Sequence, residues 1–152
     1  NVFLLVLDQI TDPHNLGACI RTAAAMGVDA VIAPKDRAAG LTPVARKVAA
    51  GGAEKIAFIQ VTNLARTLAH VRDKGVQVIG TLLDEAAKPV DQCHFSGAIA
   101  VVMGAEDTGL RRLTQQQCDQ MAYIPMQGEL QSLNVSVATG MVLYEACRQR
   151  SQ

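Results

Sequence analysis

Val2-Phe3-Leu4-Leu5-Val6-Leu7 leads through a short polar turn into Asp12-Pro13-His14-Asn15-Leu16-Gly17-Ala18-Cys19-Ile20-Arg21, and this pair of segments decides the fold. The first is apolar without a period of two, the pattern of a strand covered on both faces of a parallel sheet. The second has helical spacing over residues 15–26 and is closed by Gly27. Working outward, further aliphatic runs at residues 30–33, 56–61, 76–81, 99–103 and 121–125 predict strands of the same kind. Helical segments lie between them. Pro43 after Thr42 suits a first helical residue, with Gly51-Gly52 as the stop, and Thr62 is expected to cap a helix over residues 64–74 ended by Gly75. Thr114 is expected to cap residues 115–120, and a last helix runs over residues 135–148. Such β/α alternation predicts an α/β fold, a mostly parallel sheet with helices on both faces and ligands at the carboxyl ends of the strands.

The 152 residues form one domain, with 49% hydrophobic, 18% charged and 3% aromatic residues excluding disorder, collagen and low-complexity sequence as the main state. No window approaches the roughly 18 apolar residues of a membrane span, and the first residues lack a signal peptide's basic start. Lys and Arg number 14, as do Asp and Glu, so net charge alone marks no nucleic-acid footprint. Cys19, Cys93, Cys118 and Cys147 are dispersed, with neither a C-x-x-C pair nor a Cys/His cluster at zinc spacing. We therefore expect four reduced thiols, no metal, no membrane contact and a cytoplasmic location. The absence of an initiator Met leads us to expect a fragment or a processed form.

Three segments carry chemistry. In the first, Asn15 and Arg21 lie six residues apart on one helix, able to flank a cleft without sharing a face; a capping Asp12 or Asn15 and a solvated Arg21 are the structural alternatives. In the second, Gly104-Ala105-Glu106-Asp107-Thr108-Gly109 is a glycine-bounded acidic turn after an apolar strand. It lacks the G-x-G-x-x-G order, and its acidic pair repels a pyrophosphate, which opposes a dinucleotide oxidoreductase. Glu106 is also readable as a helix-start acid. In the third, Ile124-Pro125-Met126 is followed by Ser132-Leu133-Asn134 at the start of the last helix. Ser132 and Asn134 there can cap the helix or orient a ligand. The first half of that helix, with Val135, Val137, Ala138, Met141, Val142, Leu143 and Tyr144, has almost no polar face, and so belongs to the core or to a second subunit.

Taken in order, N-x-G-x-x-x-R at residues 15–21, G-A-E-x-x-G at 104–109 and I-P-M…S-L-N-V-S-V-A at 124–138 resemble the three motifs of the SPOUT-superfamily RNA 2′-O-ribose methyltransferases. The flanking D-P-H-N-L-G, K-D-R and A-R-K-V-A-A-G-G are most similar to the branch that methylates a guanosine of bacterial 23S rRNA. The resemblance implies a C-terminal deep trefoil knot, S-adenosyl-L-methionine as cofactor, and a homodimer through the last helix and knot region. It also implies that residues 1–152 are a catalytic domain whose N-terminal RNA-binding domain is absent. Gly104, Ile124 and Leu133 are then expected to hold the adenine through backbone groups, with Thr81, Leu82 and Met126 as walls. Arg21, Asn15, Glu106, Ser132 and Asn134 are the implied catalytic set. Because a guanidinium stays protonated up to a pKa above about 12, Arg21 is read as orienting phosphate and hydroxyl rather than as a base. Lys35, Arg37, Arg46 and Lys47 form the candidate RNA-backbone patch, with solvated surface charge as the alternative. Two competing readings remain: 2′-O-methylation of a tRNA guanosine, and a nonenzymatic cofactor-binding RNA assembly module.

Overall fold

The computed structural model describes residues 1–105 and 109–152. Seven strands, β1 (Phe3–Asp8), β2 (Ala30–Pro34), β3 (Ala57–Val61), β4 (Gln77–Thr81), β5 (Lys88–Pro89), β6 (Ile99–Gly104) and β7 (Gln120–Tyr123), form one sheet in the order β3-β2-β1-β6-β4-β7-β5. Every pairing is parallel. Helices α1 (Pro13–Ala25), α2 (Pro43–Ala49) and α5 (Val135–Arg150) cover one face, α3 (Leu64–Asp73) and α4 (Arg112–Gln116) the other.

The two-sided cover explains the apolar runs. Phe3, Leu5 and Leu7 of β1 enter the core under α1 and α5, while Leu4 and Val6 enter the opposite core with Leu64 and Leu68 of α3. All six residues of β1 are buried, so no polar alternation is tolerated. The edge strand β3 departs from the expectation of full cover: Ile59 is 45% exposed, because the helical layers do not extend over the sheet's margin. The two-residue strand β5 had no periodic signal to reveal it.

Local chemistry sets the helix starts. Pro43 is the first residue of α2, with the Thr42 hydroxyl accepting from Ala45 N at 3.2 Å. Asn63, not Thr62, caps α3, its Oδ1 accepting from Arg66 N at 3.0 Å. Thr114 is a buried residue inside α4 rather than its cap. That helix begins earlier because the buried Asp8 carboxylate accepts the backbone N–H of Arg111 and holds it extended before the first turn. Gly17 answers to packing: a Cβ there would sit 2.8 Å from Val48 Cβ, so α1 and α2 cross only with glycine at this point. No helix among the described residues is long and apolar enough to cross a membrane.

Candidate active site

β6 lies between β1 and β4, and the carboxyl ends of β4, β6 and β7 open together where successive connections diverge. Ligands collect at such a place in an open α/β sheet. A cavity of about 340 Å³ lies there. Thr81, Leu82, Gly104, Ile124, Met126, Ser132 and Leu133, drawn from three distant stretches of sequence, all line it. Its lining is mainly apolar, with Thr81, Tyr123, Gln131 and Ser132 as the residues with polar side-chain atoms.

Several wall groups are committed to the scaffold. The Thr81 hydroxyl donates to Val102 O at 2.9 Å, and Leu82 N donates to Ala122 O at 3.0 Å. Thr81 therefore contributes surface rather than a free hydroxyl. Gly104 is cradled: a Cβ would stand 2.5 Å from the Gly109 carbonyl carbon, and the Gly109 N–H donates to Ala105 O at 2.8 Å. This brings backbone to the cavity with no side chain between. Sequence reasoning missed Leu83, Met103, Tyr123 and Gln131, as well as Val135, Ala138 and Val142. The last three recur at i, i+3 and i+7, a helical face that marks one side of α5 as lining.

The open question of caps resolves residue by residue. Asp12 caps α1, its Oδ1 accepting from His14 N at 2.9 Å, which leaves the Asn15 side chain for other work. Asn134 caps α5, accepting from Ser136 N at 2.9 Å and Val137 N at 3.4 Å, and its Nδ2 donates to Asn15 Oδ1 at 3.1 Å. The first and third motifs are thereby joined. Asn15 lines a smaller hollow with Gln9, Asp12, Ala105 and Val135, and Val135 also lines the larger cavity.

Arg21 lies apart. It is exposed on α1 and borders a shallow hollow with Ala24, Ala49, Gly52 and Lys55. Glu106 falls outside the described residues. Lys35 and Arg37 follow the end of β2 and Arg46 and Lys47 lie on α2, all exposed; Arg46 already pairs with Glu54 at 3.4 Å. On the outer side of α5, Val137, Met141 and Tyr144 are 53%, 45% and 65% exposed at i, i+4 and i+7. The apolar helix thus has an inner face in the core and a second apolar stripe turned outward. Among the described residues no group of three or more His, Cys, Asp or Glu side chains is placed to hold a metal.

The sequence profile of the SpoU rRNA Methylase family matches residues 2–144. The chain belongs to the SpoU rRNA methylase family. Within it, the chain is 74% identical over 148 residues to the 23S rRNA (guanosine-2′-O-)-methyltransferase RlmB of Acinetobacter baylyi, covering 97% of this chain and 60% of that relative. The chain therefore spans about three fifths of the relative's length. Among solved structures, the A. aeolicus TrmH/SpoU tRNA modifying enzyme superposes with a TM-score of 0.90 at 29% identity, covering 98% of this chain and 75% of that one. The AdoMet-bound rRNA methyltransferase from Sinorhizobium meliloti gives 0.90 at 30% identity, covering 97% and 56%. The parallel sheet with its helical layers is the fold of these SpoU structures.

Proposed function

We propose that this chain is the catalytic unit of an S-adenosylmethionine-dependent enzyme that methylates the ribose 2′-hydroxyl of a guanosine in 23S rRNA. The observation that carries the reading is the convergence of Gly104, Ile124, Met126 and Leu133 with Thr81 and Leu82 on one mainly apolar cavity. Such a cavity suits adenine: apolar walls desolvate the ring, while backbone groups beside Gly104 and Leu133 are near enough to read its edge. When bound, the cofactor supplies an electrophilic methyl, so no metal is required. The chain's own task is orientation. Asn134 holds Asn15 at the cavity's flank, and Arg21, a permanent cation with a planar fork, suits the phosphate next to the target ribose.

Arg21 and the cavity are separate in one protomer, and the outward stripe of Val137, Met141 and Tyr144 is of the kind a subunit interface covers. Both features support a homodimer in which a second copy of the chain supplies Arg21 to the site. The strand order supports a C-terminal trefoil knot: the chain inserts β6 between β1 and β4 only after both are laid down, then passes to the far side of β4 as β7. That the relative is longer than this chain is compatible with the RNA-binding domain that the resemblance implies. Lys35, Arg37 and Lys47 would extend RNA contact along the segment that follows β2 and the exposed side of α2.

The likeness to the A. aeolicus tRNA modifying enzyme favours a second reading, a tRNA guanosine as substrate. Transfer of labelled methyl from S-adenosylmethionine to unmodified 23S rRNA and to tRNA tests both, using this chain beside the longer protein. Label at a ribose 2′-oxygen of 23S rRNA is expected. Label on tRNA alone would move the substrate to the second reading, and none on either RNA despite cofactor binding would leave a nonenzymatic module.

A further inference from the structure

We propose that Asp8, acting through Arg111, is the positioning residue for Gly104, the last residue of β6, where the chain borders the cofactor cavity and departs toward α4. The proposal rests on the cavity being the S-adenosylmethionine site.

Asp8 ends β1, the neighbour of the central strand β6, and is fully buried. A buried carboxylate is costly without partners, and this one has two from a single residue. Arg111 N donates to Asp8 Oδ2 at 2.9 Å, and Arg111 Nε donates to Oδ1 at 2.8 Å. The backbone of Asp8 is in register with Gly104, the residue at which the loop departs. One residue therefore grips the loop at both ends, Gly104 by strand pairing and Arg111 by its carboxylate. Between these grips Ala105 and Gly109 form an antiparallel bridge, Gly109 packs against the Gly104 Cα, and Leu110 is buried in the second core.

The arrangement leaves little freedom for the Gly104 backbone. If the Asp8–Arg111 link loosens, the start of α4 and the bridge at Gly109 shift together, and Gly104 moves relative to Ile124 and Leu133 across the cavity. Asp8 and Arg111 do not line the cavity themselves, so their influence passes through the loop. Gly104 and Gly109, the glycines that bound the second motif, are thus set from beneath by the end of β1, just before the segment that carries the first motif.

The test uses Asp8→Asn, which keeps shape and removes the charge, and Arg111→Lys, which keeps the cation and the backbone N–H bond but loses the side-chain fork. Calorimetric titration with S-adenosylhomocysteine separates two outcomes, since misfolded molecules lower the binding stoichiometry and a displaced loop weakens the dissociation constant of every folded molecule. We expect affinity about 10-fold weaker and methyl-transfer kcat lower by on the order of 10²-fold, with KM for RNA little changed. Wild-type affinity and kcat in the folded fraction of both variants, with only stoichiometry reduced, would overturn the proposal. Arg111→Lys keeps the test decisive if Asp8→Asn does not fold. A wild-type chain that fails to bind S-adenosylhomocysteine overturns the cavity's reading instead, a result distinct from variants that bind like wild type.

Discussion

The Asn134 amide donates to the Asn15 side-chain oxygen at 3.1 Å, so the first turn of α5 is tied to the first turn of α1 across 119 residues of chain. The same Asn134 oxygen caps α5. One side chain therefore does two jobs, and they can be separated.

Asn134→Asp retains the capping oxygen and loses the donor to Asn15. Its stability should stay close to wild type while methyl transfer falls by roughly 10-fold to 10²-fold, the range for a lost orienting hydrogen bond. Asn134→Ala loses both functions and should also cost about 1 kcal/mol in urea denaturation. Equal activity losses with equal stability losses in the two variants would mean that Asn134 acts only as a cap.

Arg21 is exposed and does not border the cavity at the ends of β4, β6 and β7. Arg21→Ala should therefore leave S-adenosylhomocysteine affinity within about twofold while lowering kcat by on the order of 10²-fold. Arg21→Lys should recover little of it, because an ammonium cannot reproduce the planar fork. Near-normal turnover in Arg21→Ala removes the residue from the mechanism.

Val137, Met141 and Tyr144 present one exposed apolar stripe on α5. Placing a carboxylate in its middle, Met141→Glu, should convert a dimer to a monomer by light scattering without unfolding the chain, since a buried unpaired charge is expensive at an interface and cheap in water. Methyl transfer should fall with dimer content. A wild-type monomer at micromolar concentration would contradict the dimer outright.

Burial pushes the Cys19 thiol up from its ordinary 9.0 to about 11, the Thr139 hydroxyl partly opposing. Cys118 is pushed up to about 12, mainly by burial, with the Asp119 carboxylate adding and Arg72 opposing. Both folded values lie above the unfolded ones, so the folded state holds protons that the unfolded chain has released above pH 9. The contribution is complete below pH 9 and is lost as pH rises toward 11 and 12, so stability should fall across that window. Denaturant titrations at pH 8 and pH 10 measure it, and Cys19→Ala should reduce the difference. Alkylation at pH 8 should be slow for Cys19 in the native protein and fast once unfolded.

The order of elements is readable from sequence because strands buried on both faces are apolar along their length, as residues 3–7 are, and because Pro43, Gly27 and Gly75 punctuate helices by covalent constraint. Gly104, Ile124, Met126, Ser132 and Leu133 of the cavity were legible through the second and third motifs, whereas Leu83, Met103 and Val142 lie outside any motif. Where neighbouring residues competed for one role, local pattern failed: Asn63 displaced Thr62 as a cap, Asp12 freed Asn15, and a carboxylate 103 residues away began α4 at Arg112. The two-residue β5 is too short to carry a period at all. Sequence by itself determined which residues are apolar, which turns can form and which side chains carry chemistry, because these depend on covalent structure and near neighbours. Tertiary structure alone decided that Asn15 meets Asn134, that Asp8 meets Arg111, and that Arg21 stands apart from the cavity. Such meetings depend on the sheet order, which brings distant strand ends together and is encoded in no local spacing.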